Sequence, residues 1–286
     1  MNIGINGLGR IGKSLLLQSL ESNRLNVKAI NIPNFNLNTI KSYLVHDSVH
    51  KSSLNYDDVH IIKDDKILVK DKEINIIDKR NPDKNMWKMH DINYLFDTTG
   101  KFLTEEKAKE HNVSYFIMCA PPKDKIPQFI FNGNHNSYKG EEIISNSSCT
   151  TNALVPVLNL LNREYNIVMS NFLTVHAATA SQNVIDGVHL KNRSHRTILN
   201  NIIPHTTGAS KSAIKVLPEL ENKIFGTSVR IPTSNVSMVD LNLKLSKDKS
   251  IDEILDFLRL SKIVEVNDDP HLVSSDFIST KNPSII

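Results

Sequence analysis

Cysteine is scarce in this sequence of 286 residues, where Cys119 and Cys149 are the only two. Two thiols are too few for a disulfide framework and are typical of a reducing compartment. No apolar run is long enough to span a membrane, and no signal peptide precedes the strand-like segment at Met1. A large excess of charge of one sign is also absent, since 34 Lys and Arg accompany 31 Asp and Glu. We therefore expect a cytoplasmic protein with no nucleic-acid partner, no membrane association and no metal site.

Length and composition describe a globular protein of two domains. Hydrophobic residues make up 40% and charged residues 23% of the chain, which is long enough for two cores. Lys and Asp alternate at residues 63–66 and 70–73, as they do on solvent-exposed hairpins. The pattern of elements changes at the loop that contains Cys149, so we predict domains at residues 1–147 and 148–286.

A glycine-rich turn follows the first predicted strand. Residues 1–6 are short and apolar, and Gly7, Gly9 and Gly12 separate them from a helical pattern over residues 13–23. In a dinucleotide-binding turn the first glycine permits the tight turn and the second lets a pyrophosphate approach the backbone. The third lets the helix pack against the strand. Because the motif stands between a strand and a helix, it favours dinucleotide binding over an ordinary glycine-rich turn.

The acidic residue that normally follows such a motif is missing. An Asp or Glu is expected about 20 residues after the glycines, at the end of the second strand, where it binds the adenosine ribose. Ile32 occupies that position, and its polar neighbours are neutral asparagines. Loss of one charge-assisted hydrogen bond lowers NAD affinity by about ten- to a hundredfold, and without a repelling carboxylate NADP becomes acceptable as well.

The rest of the first half alternates strands and helices, which is typical of a doubly wound parallel sheet. Residues 94–97 form a buried strand that ends in Thr98, Thr99 and Gly100, small residues at the sheet edge where such folds bind ligands. The remaining predicted elements are two strands joined by a turn over residues 59–77, a helix at 105–112, and strands at 115–119 and 143–144.

The second half predicts an α+β domain with a mainly antiparallel sheet. Residues 167–176 are strand-like, and residues 236–245 alternate apolar and polar side chains, as a half-exposed antiparallel strand does. The segment 177–204 is polar and lacks periodicity, and a loop of that length inside a domain is usually functional. The predicted helices are one that starts at Cys149 and is kinked at Pro156, one at 209–217, and one at 251–260 capped by Ser250 and Glu253.

Cys149 is the first candidate for chemistry. It lies among hydroxyl and amide side chains, directly after Ser148, a good N-cap, and ahead of an apolar run. The unpaired N–H groups of a helix N-terminus lower a thiol pKa from about 8.5 and can stabilise an oxyanion. A buried structural cysteine is the alternative, but the polar surroundings favour a reactive thiol.

His176 and Arg230 are candidates for the partners of this thiol. His176 ends an apolar strand and is followed by small residues, so it is either a catalytic base or a hydrogen-bonded core histidine. Arg230 lies at the end of another strand, where it either holds a phosphate or forms a surface ion pair.

Taken together, several segments closely resemble glyceraldehyde-3-phosphate dehydrogenase, and the match is collinear over nearly the whole chain. The segments that carry the resemblance are residues 3–12, 145–152, 176–182, 201–204, 216–220, 230–241 and 272–277. The resemblance implies a Rossmann-type domain followed by a catalytic domain. It also implies oxidation of glyceraldehyde 3-phosphate with NAD and inorganic phosphate, a step of glycolysis, by a homotetramer.

The resemblance further implies roles for individual residues. Cys149 attacks the aldehyde to give a hemithioacetal, His176 takes the hydroxyl proton, and phosphate cleaves the resulting thioester. The implied substrate- and phosphate-binding residues are Ser148, Thr150, Thr179, Thr207, Gly208 and Arg230. One arginine of the long loop joins them, either Arg193 or Arg196, and we select Arg196. The implied cofactor-binding residues are Gly7, Gly9, Arg10, Ile11, Gly12, Arg80, Thr98, Thr99, Gly100, Phe102 and Cys119.

Departures from the family leave a second hypothesis open. Ile32 replaces the acid that binds the ribose, Ala153 replaces a second cysteine, and the family's last strands, its nicotinamide-binding Asn and its C-terminal helix have no counterpart before Ile286. The alternative is a C-terminally truncated pseudoenzyme with weak or no cofactor binding that acts as a binding or assembly partner. Retention of every residue that acts on the substrate favours the dehydrogenase.

Overall fold

A computed structural model describes residues 1–188 and 192–286 and separates into two compact units. The first unit comprises residues 1–129 and 138–147, and the second comprises residues 130–137 and 148–286. The long polar segment 177–204 belongs to the second unit, and its residues 189–191 lie outside the described part of the chain.

The first unit is built on an eight-stranded sheet with the order β3-β4-β5-β2-β1-β6-β7-β8. The six strands from β5 to β8 in this order are parallel, whereas β3 and β4 pair antiparallel at one edge. The strands are Asn2–Asn6 (β1), Asn26–Asn31 (β2), Val59–Lys63 (β3), Lys66–Val69 (β4), Lys72–Ile77 (β5), Tyr94–Asp97 (β6), Tyr115–Met118 (β7) and Ile143–Ser145 (β8). The helices are Arg10–Leu20 (α1), Leu37–Val45 (α2) and Glu105–Lys109 (α3). The predicted doubly wound parallel sheet is confirmed.

Some element boundaries in this unit differ from the sequence-based expectations. Residues 59–77 form three strands, not two, because a second tight turn at Lys70, with φ of 55°, separates β4 from β5. Helix α1 begins at Arg10 within the glycine motif, and α3 ends at Lys109. Helix α2 was missed because it buries few side chains, Ile40 and Leu44.

The parallel strands lie at the centre of the first unit. Ile3, Ile5, Val27 and Ile30 are fully buried, as expected for strands covered on both faces. Their burial fixes the register of β1 and β2, so the two strands end side by side at Asn6 and Asn31. The ligand-binding edge of the sheet is therefore set by hydrophobic packing beneath it.

The second unit contains a four-stranded mixed sheet with the order β10-β11-β9-β12. Strands β9 and β11 are parallel, and the two outer pairings are antiparallel, so the mainly antiparallel α+β prediction is confirmed. The strands are Ile167–His176 (β9), Ile203–His205 (β10), Ile224–Arg230 (β11) and Met238–Leu245 (β12), and the helices are Cys149–Tyr165 (α4), Ala209–Val216 (α5) and Ile251–Ser261 (α6).

Helix α4 anchors the core of this unit. Its residues Leu154, Leu158 and Leu161 pack with Phe172 of β9 and Ala213 of α5 in one hydrophobic cluster. The helix contains Pro156 as a buried residue and is one continuous element from its first turn to Tyr165. The predicted capping box of α6 is confirmed, since Ser250 Oγ accepts from Glu253 N and Glu253 Oε2 accepts from Ser250 N. Within the described residues, no helix combines the length and apolarity needed to cross a bilayer.

Candidate active site

Cys149 is the first residue of α4, as the N-cap prediction required. Ser148 has extended backbone angles, and its Oγ accepts a hydrogen bond from Thr151 N at 3.2 Å. Ser147 before it has a positive φ of 58°, which turns the chain sharply into the helix. The turn leaves Cys149 exposed to solvent in the first helical turn, where the backbone N–H groups carry partial positive charge.

His176, the last residue of β9, reaches this thiol. Its Nε2 lies 3.3 Å from Cys149 Sγ. Partial burial raises the pKa of the Cys149 thiol, but the hydrogen bond and charge of His176 and hydrogen bonds from Thr150 outweigh burial, so the net pKa is below its ordinary value. The geometry therefore favours a thiolate held beside an imidazole, which is the arrangement of an activated cysteine nucleophile.

Arg230 completes a contact chain of three side chains. It ends β11, and it is the register partner of His176 on the neighbouring parallel strand. Its Nη1 lies 2.6 Å from His176 Nδ1 and donates to the Ala177 carbonyl at 3.1 Å, while its Nε is buried without a hydrogen-bond partner. Burial lowers the pKa of the Arg230 guanidinium, and the charge of Cys149 opposes this shift.

The other predicted substrate-side residues make hydrogen bonds or ion pairs to neighbours of their own. Thr179 Oγ1 is bonded to Ser181 and Gln182, and Arg196 pairs with Asp186 at 2.8 Å. Thr207 Oγ1 accepts from Ala209 N at 3.1 Å, and Gly208 is the N-cap of α5. Among the described residues, the structure thus links Thr150 to Cys149, Cys149 to His176 and His176 to Arg230, whereas the bonds given for Thr179, Arg196 and Thr207 are local.

The glycine turn of the first unit has the geometry that a dinucleotide requires. Gly7 has a φ of +94°, and a Cβ on Gly12 would lie 2.2 Å from the Gly7 carbonyl oxygen. A Cβ on Gly9 would meet no atom within 4 Å, so this backbone faces open space at the start of α1. The turn therefore fits a pyrophosphate, which needs close approach to exposed backbone N–H groups.

The remaining predicted cofactor residues surround this turn or lie at neighbouring strand ends. Thr98 Oγ1 donates to the carbonyls of Asn6 and Gly7, which ties the end of β6 to the turn. Burial raises the pKa of the Cys119 thiol to about 12, with the nearby Asp97 carboxylate adding to the effect, so Cys119 is not activated. The side chains of Arg10, Ile11 and Arg80 are exposed. Thr99 Oγ1 donates a hydrogen bond to Asp97 Oδ1 at 2.8 Å, and Gly100 next to it has a φ of 65°. The ring of Phe102 packs edge-on against the ring of His111.

A buried polar network at this edge was not found from the sequence. Asn31 donates to Asn6 at 2.8 Å, and Asn6 donates to Asp97 Oδ1 at 2.9 Å, across three adjacent strands. Burial raises the pKa of Asp97 to about 6, although hydrogen bonds from Thr99 and Asn6 oppose the shift. A polar residue at the end of each buried strand is the signal that could have indicated the network.

Ile32, which occupies the position of the missing acid, lies near a carboxylate that the sequence did not predict. Ile32 N donates to Ile77 O at 2.8 Å, which sets the end of β2 beside the end of β5. The next residue after β5 is Asp78, an exposed carboxylate whose Oδ1 accepts from Asn34 N at 2.8 Å. A carboxylate therefore lies beside Ile32, one strand away from its expected place.

Comparisons with known proteins point to one family for both units. A family model described as "Glyceraldehyde 3-phosphate dehydrogenase, NAD binding domain" matches residues 1–105, and one described as "Glyceraldehyde 3-phosphate dehydrogenase, C-terminal domain" matches residues 148–286. Glyceraldehyde-3-phosphate dehydrogenase of Bacteroides fragilis is 37% identical over 296 residues, which cover 100% of this chain and 88% of the relative. The Phytophthora infestans protein of that name is 37% identical over 298 residues, with the same coverage. Glyceraldehyde-3-phosphate dehydrogenase A of Escherichia coli is 36% identical over 258 residues, covering 89% of this chain and 77% of the relative.

Proposed function

This chain belongs to the glyceraldehyde-3-phosphate dehydrogenase family, and from that premise we propose that Cys149 and His176 carry its chemistry. Membership makes the chain an NAD-dependent oxidoreductase of the phosphorylating type, with glyceraldehyde 3-phosphate and inorganic phosphate as its substrates. The observation that supports these two residues above others is the 3.3 Å contact between Cys149 Sγ and His176 Nε2. The family assignment favours the enzyme over the pseudoenzyme alternative.

The proposed reaction begins at the thiolate. Cys149 Sγ attacks the aldehyde carbon, and the carbonyl oxygen takes a proton from His176 Nε2 to form a hemithioacetal. His176 Nε2 then accepts that hydroxyl proton as hydride leaves the carbon, which produces a thioester on Cys149. Inorganic phosphate attacks the thioester and releases the acyl phosphate, and the sulfur returns to the thiolate.

Bound NAD supplies one part of this chemistry, acceptance of the hydride. The residues that we propose to hold it are the glycine turn, Arg10 and Ile11 at the start of α1, and the strand-end residues Thr98, Thr99 and Gly100. The open space at Gly9 supports this assignment, because a pyrophosphate can approach the backbone there. We also assign Phe102, Arg80 and Cys119 to the surroundings of the dinucleotide.

Two anion sites in the second unit complete the proposal. Thr179 and Arg230 would hold the phosphate of the aldose, while Ser148, Thr150, Thr207, Gly208 and Arg196 would serve the attacking phosphate. Support comes from the N-terminal positions of Thr150 on α4 and of Gly208 on α5, because helix N-termini bind anions. Ser148 Oγ and Arg196 must exchange their present partners, Thr151 and Asp186, to join such a site.

We propose a cytoplasmic homo-oligomer, with a tetramer as the expected form. The two cysteines are free, as suits a reducing compartment. The long polar segment exposes several large apolar side chains, an arrangement typical of an interface. These are Val184, Ile185, Val188, Leu199 and Ile202.

A direct spectrophotometric assay tests the proposed function. Purified protein with glyceraldehyde 3-phosphate, inorganic phosphate and NAD should give an increase in absorbance at the wavelength of NADH, and omission of phosphate should abolish turnover. Cys149→Ser is the matched control. No reduction of NAD or NADP at saturating cofactor would contradict the assignment, and calorimetry with NAD then shows whether cofactor binding or chemistry has failed.

A further inference from the structure

The end of β2, where a dinucleotide-binding fold normally supplies an acid to the adenosine ribose, has no carboxylate of its own. Ile32 is half-buried there and packs against the hydrophobic core of the first unit. Two neighbouring asparagines are already engaged. Asn31 Oδ1 accepts from Lys79 N at 3.0 Å, and Asn36 Oδ1 accepts from Thr39 N at 3.0 Å, which caps α2. A charged partner for the ribose must therefore come from another strand.

Strand β5, the parallel neighbour of β2, is followed by such a group. Asn31 is the register partner of Ile77, so Ile32 and Asp78 come next along the two paired strands. Ile32 N donates to Ile77 O at 2.8 Å, which extends the pairing to this point. Asp78 is exposed and is the first residue after β5. Because parallel strands end at one edge of a sheet, Asp78 lies at the edge where a doubly wound sheet binds its ligand.

The position of the Asp78 carboxylate is fixed by contacts with the end of β2. Its Oδ1 accepts from Asn34 N at 2.8 Å. The next residue, Lys79, exchanges two backbone hydrogen bonds with the Asn31 side chain, at 2.9 and 3.0 Å. Within the described residues the structure gives Asp78 Oδ2 no donor, so this oxygen is left for a ligand. A carboxylate held in this way loses little freedom when it binds.

Asn31 connects this carboxylate with the glycine turn. Its backbone oxygen accepts from Gly7 N at 2.9 Å, while its Nδ2 donates to Asn6 at 2.8 Å and to Lys79 O at 2.9 Å. Asn31 is only 5% exposed, so these bonds are sheltered from water. One buried residue thus holds both the turn that fits a pyrophosphate and the segment that contains Asp78. Since the adenosine ribose is bonded to the pyrophosphate, the two binding groups lie in the order that a dinucleotide requires.

We propose that Asp78 binds the 2′-hydroxyl of the adenosine ribose in place of an acid at position 32, an inference that rests on the proposed function. Asp78 Oδ1 keeps its bond to Asn34 N, and Oδ2 accepts from the ribose hydroxyl. The carboxylate also repels the 2′-phosphate of NADP. The chain therefore selects NAD, although Ile32 alone predicts that NADP is acceptable.

Two exposed cations next to Asp78 define the opposing prediction. Lys79 and Arg80 would attract a 2′-phosphate if their side chains faced the end of β2. In the part of the chain that the structure describes, the hydrogen bonds between Lys79 and β2 involve only its backbone, whereas the Asp78 side chain is itself bonded to Asn34. The contacts therefore favour the carboxylate over the cations as the group that meets the ribose.

Calorimetry with NAD and with NADP tests the proposal. The wild-type protein should bind NAD at least about tenfold more tightly than NADP. Asp78→Asn keeps an oxygen for Asn34 N and removes only the charge, so it should weaken NAD binding by about ten- to a hundredfold and raise the ratio of NADP to NAD affinity by a similar factor. Wild-type protein that binds NADP as tightly as NAD would overturn the proposal in favour of the cations.

Asp71→Asn is the matched control. It removes the same charge from an exposed residue at the opposite end of β5. Seven residues of strand place it about 23 Å from Asp78, well beyond the screening length of about 10 Å at 0.1 M salt. Neither affinity should change in this variant. Equal changes in Asp71→Asn and Asp78→Asn would show that net charge, and not a bond from Asp78, controls binding.

An NAD analogue with 2′-deoxyadenosine shows whether Asp78 acts on the ribose itself. The analogue should bind the wild-type protein about tenfold more weakly than NAD does. It should bind Asp78→Asn as NAD does, because the two changes remove the same hydrogen bond and their effects do not add. Additive losses would mean that Asp78 does not contact the 2′-hydroxyl.

ADP-ribose, which lacks the nicotinamide, separates failure of this inference from failure of the proposed function. Its affinity should fall in Asp78→Asn by the same factor as that of NAD, whether or not the protein turns over glyceraldehyde 3-phosphate. Unchanged affinities in Asp78→Asn would refute the role of Asp78 and leave the assignment of Cys149 and His176 unaffected. A fall in affinity without turnover in the wild type would support Asp78 and count against the proposed chemistry.

Discussion

The two units of this chain use their side chains differently. In the second unit, side chains meet one another directly: Cys149 Sγ lies 3.3 Å from His176 Nε2, and Arg230 Nη1 lies 2.6 Å from His176 Nδ1. In the first unit, the glycine turn offers a ligand mainly its backbone, while the strand-end side chains bond to each other in a buried network. Chemistry on a substrate depends on identified side-chain atoms at about 3 Å, whereas binding of a pyrophosphate through backbone N–H groups does not require a particular side chain at position 32.

Removal of the Cys149 thiol should have the largest predicted effect, and it should affect catalysis but not the binding of NAD. Cys149→Ser should lower kcat by on the order of 10⁴-fold or more, because no other group can form the thioester. Affinity for NAD should be unchanged, since the glycine turn belongs to the other unit. Steady-state kinetics and calorimetry on the same preparation measure both quantities. Residual activity within tenfold of the wild type would mean that Cys149 is not the nucleophile.

The two cysteines should differ strongly in reactivity. The pKa of the Cys149 thiol is lowered, chiefly through His176, whereas burial raises the pKa of Cys119 to about 12. Iodoacetamide at pH 8 should therefore alkylate Cys149 at least about a hundredfold faster than Cys119, because the thiolate is the reactive form. Peptide mass spectrometry over time gives both rates, and Cys149→Ser provides the Cys119 rate alone. Similar rates would contradict activation of Cys149.

Two glycine variants test whether backbone geometry governs the first unit. Gly12→Ala places a Cβ 2.2 Å from the Gly7 carbonyl oxygen, and the clash should destabilise the unit by about 3 kcal/mol. Gly9→Ala meets no protein atom and should leave stability nearly unchanged while weakening NAD binding. Denaturant unfolding followed by Trp87, the single tryptophan of the chain, reports on this unit specifically. Equal stability losses in both variants would show that the space at Gly9 is not open.

The smallest predicted effect is on the pH dependence of stability, and it arises from His111 in the first unit. His111 is buried, accepts from Trp87 Nε1 at 3.1 Å, and has its pKa lowered by burial to about 4. A neutral histidine with a lowered pKa adds stability above the unfolded pKa of 6.5, and this stability is lost as pH falls toward 4. Between pH 7 and 4.5, His111→Asn, which retains an acceptor for Trp87, should lose about 2 kcal/mol less than the wild type.

The titration of Asp97 changes stability with pH in the opposite direction to that of His111, so the two contributions must be separated. Its pKa is raised to about 6 from 3.8, so its contribution is present below pH 3.8 and is lost as pH rises through 6. The exposed His60 on β3 offers a control, and His60→Asn should follow the wild-type pH profile. If His111→Asn also follows that profile, His111 does not titrate on unfolding as expected.

Features that depend on residues close in sequence were predictable. The N-cap at Ser148, the capping box of α6 and the alternation of β12 all act between residues a few positions apart, and the structure confirms each. The third strand in residues 59–77 and helix α2 were missed because short, exposed elements carry little hydrophobic periodicity. The predicted strand boundaries were wrong where a single turn residue, such as Lys70, determined the backbone conformation.

The sequence by itself determined the class of each domain, the glycine turn and the chemical types of the reactive residues, since these follow from hydrophobic periodicity and local capping. The tertiary structure alone decided which side chains meet. Arg230 and His176 are 54 residues apart, and the parallel pairing of β9 with β11 places them at 2.6 Å. The raised pKa of Asp97 and the position of Asp78 beside Ile32 likewise arise from burial and strand register, which bring together groups that no local pattern connects.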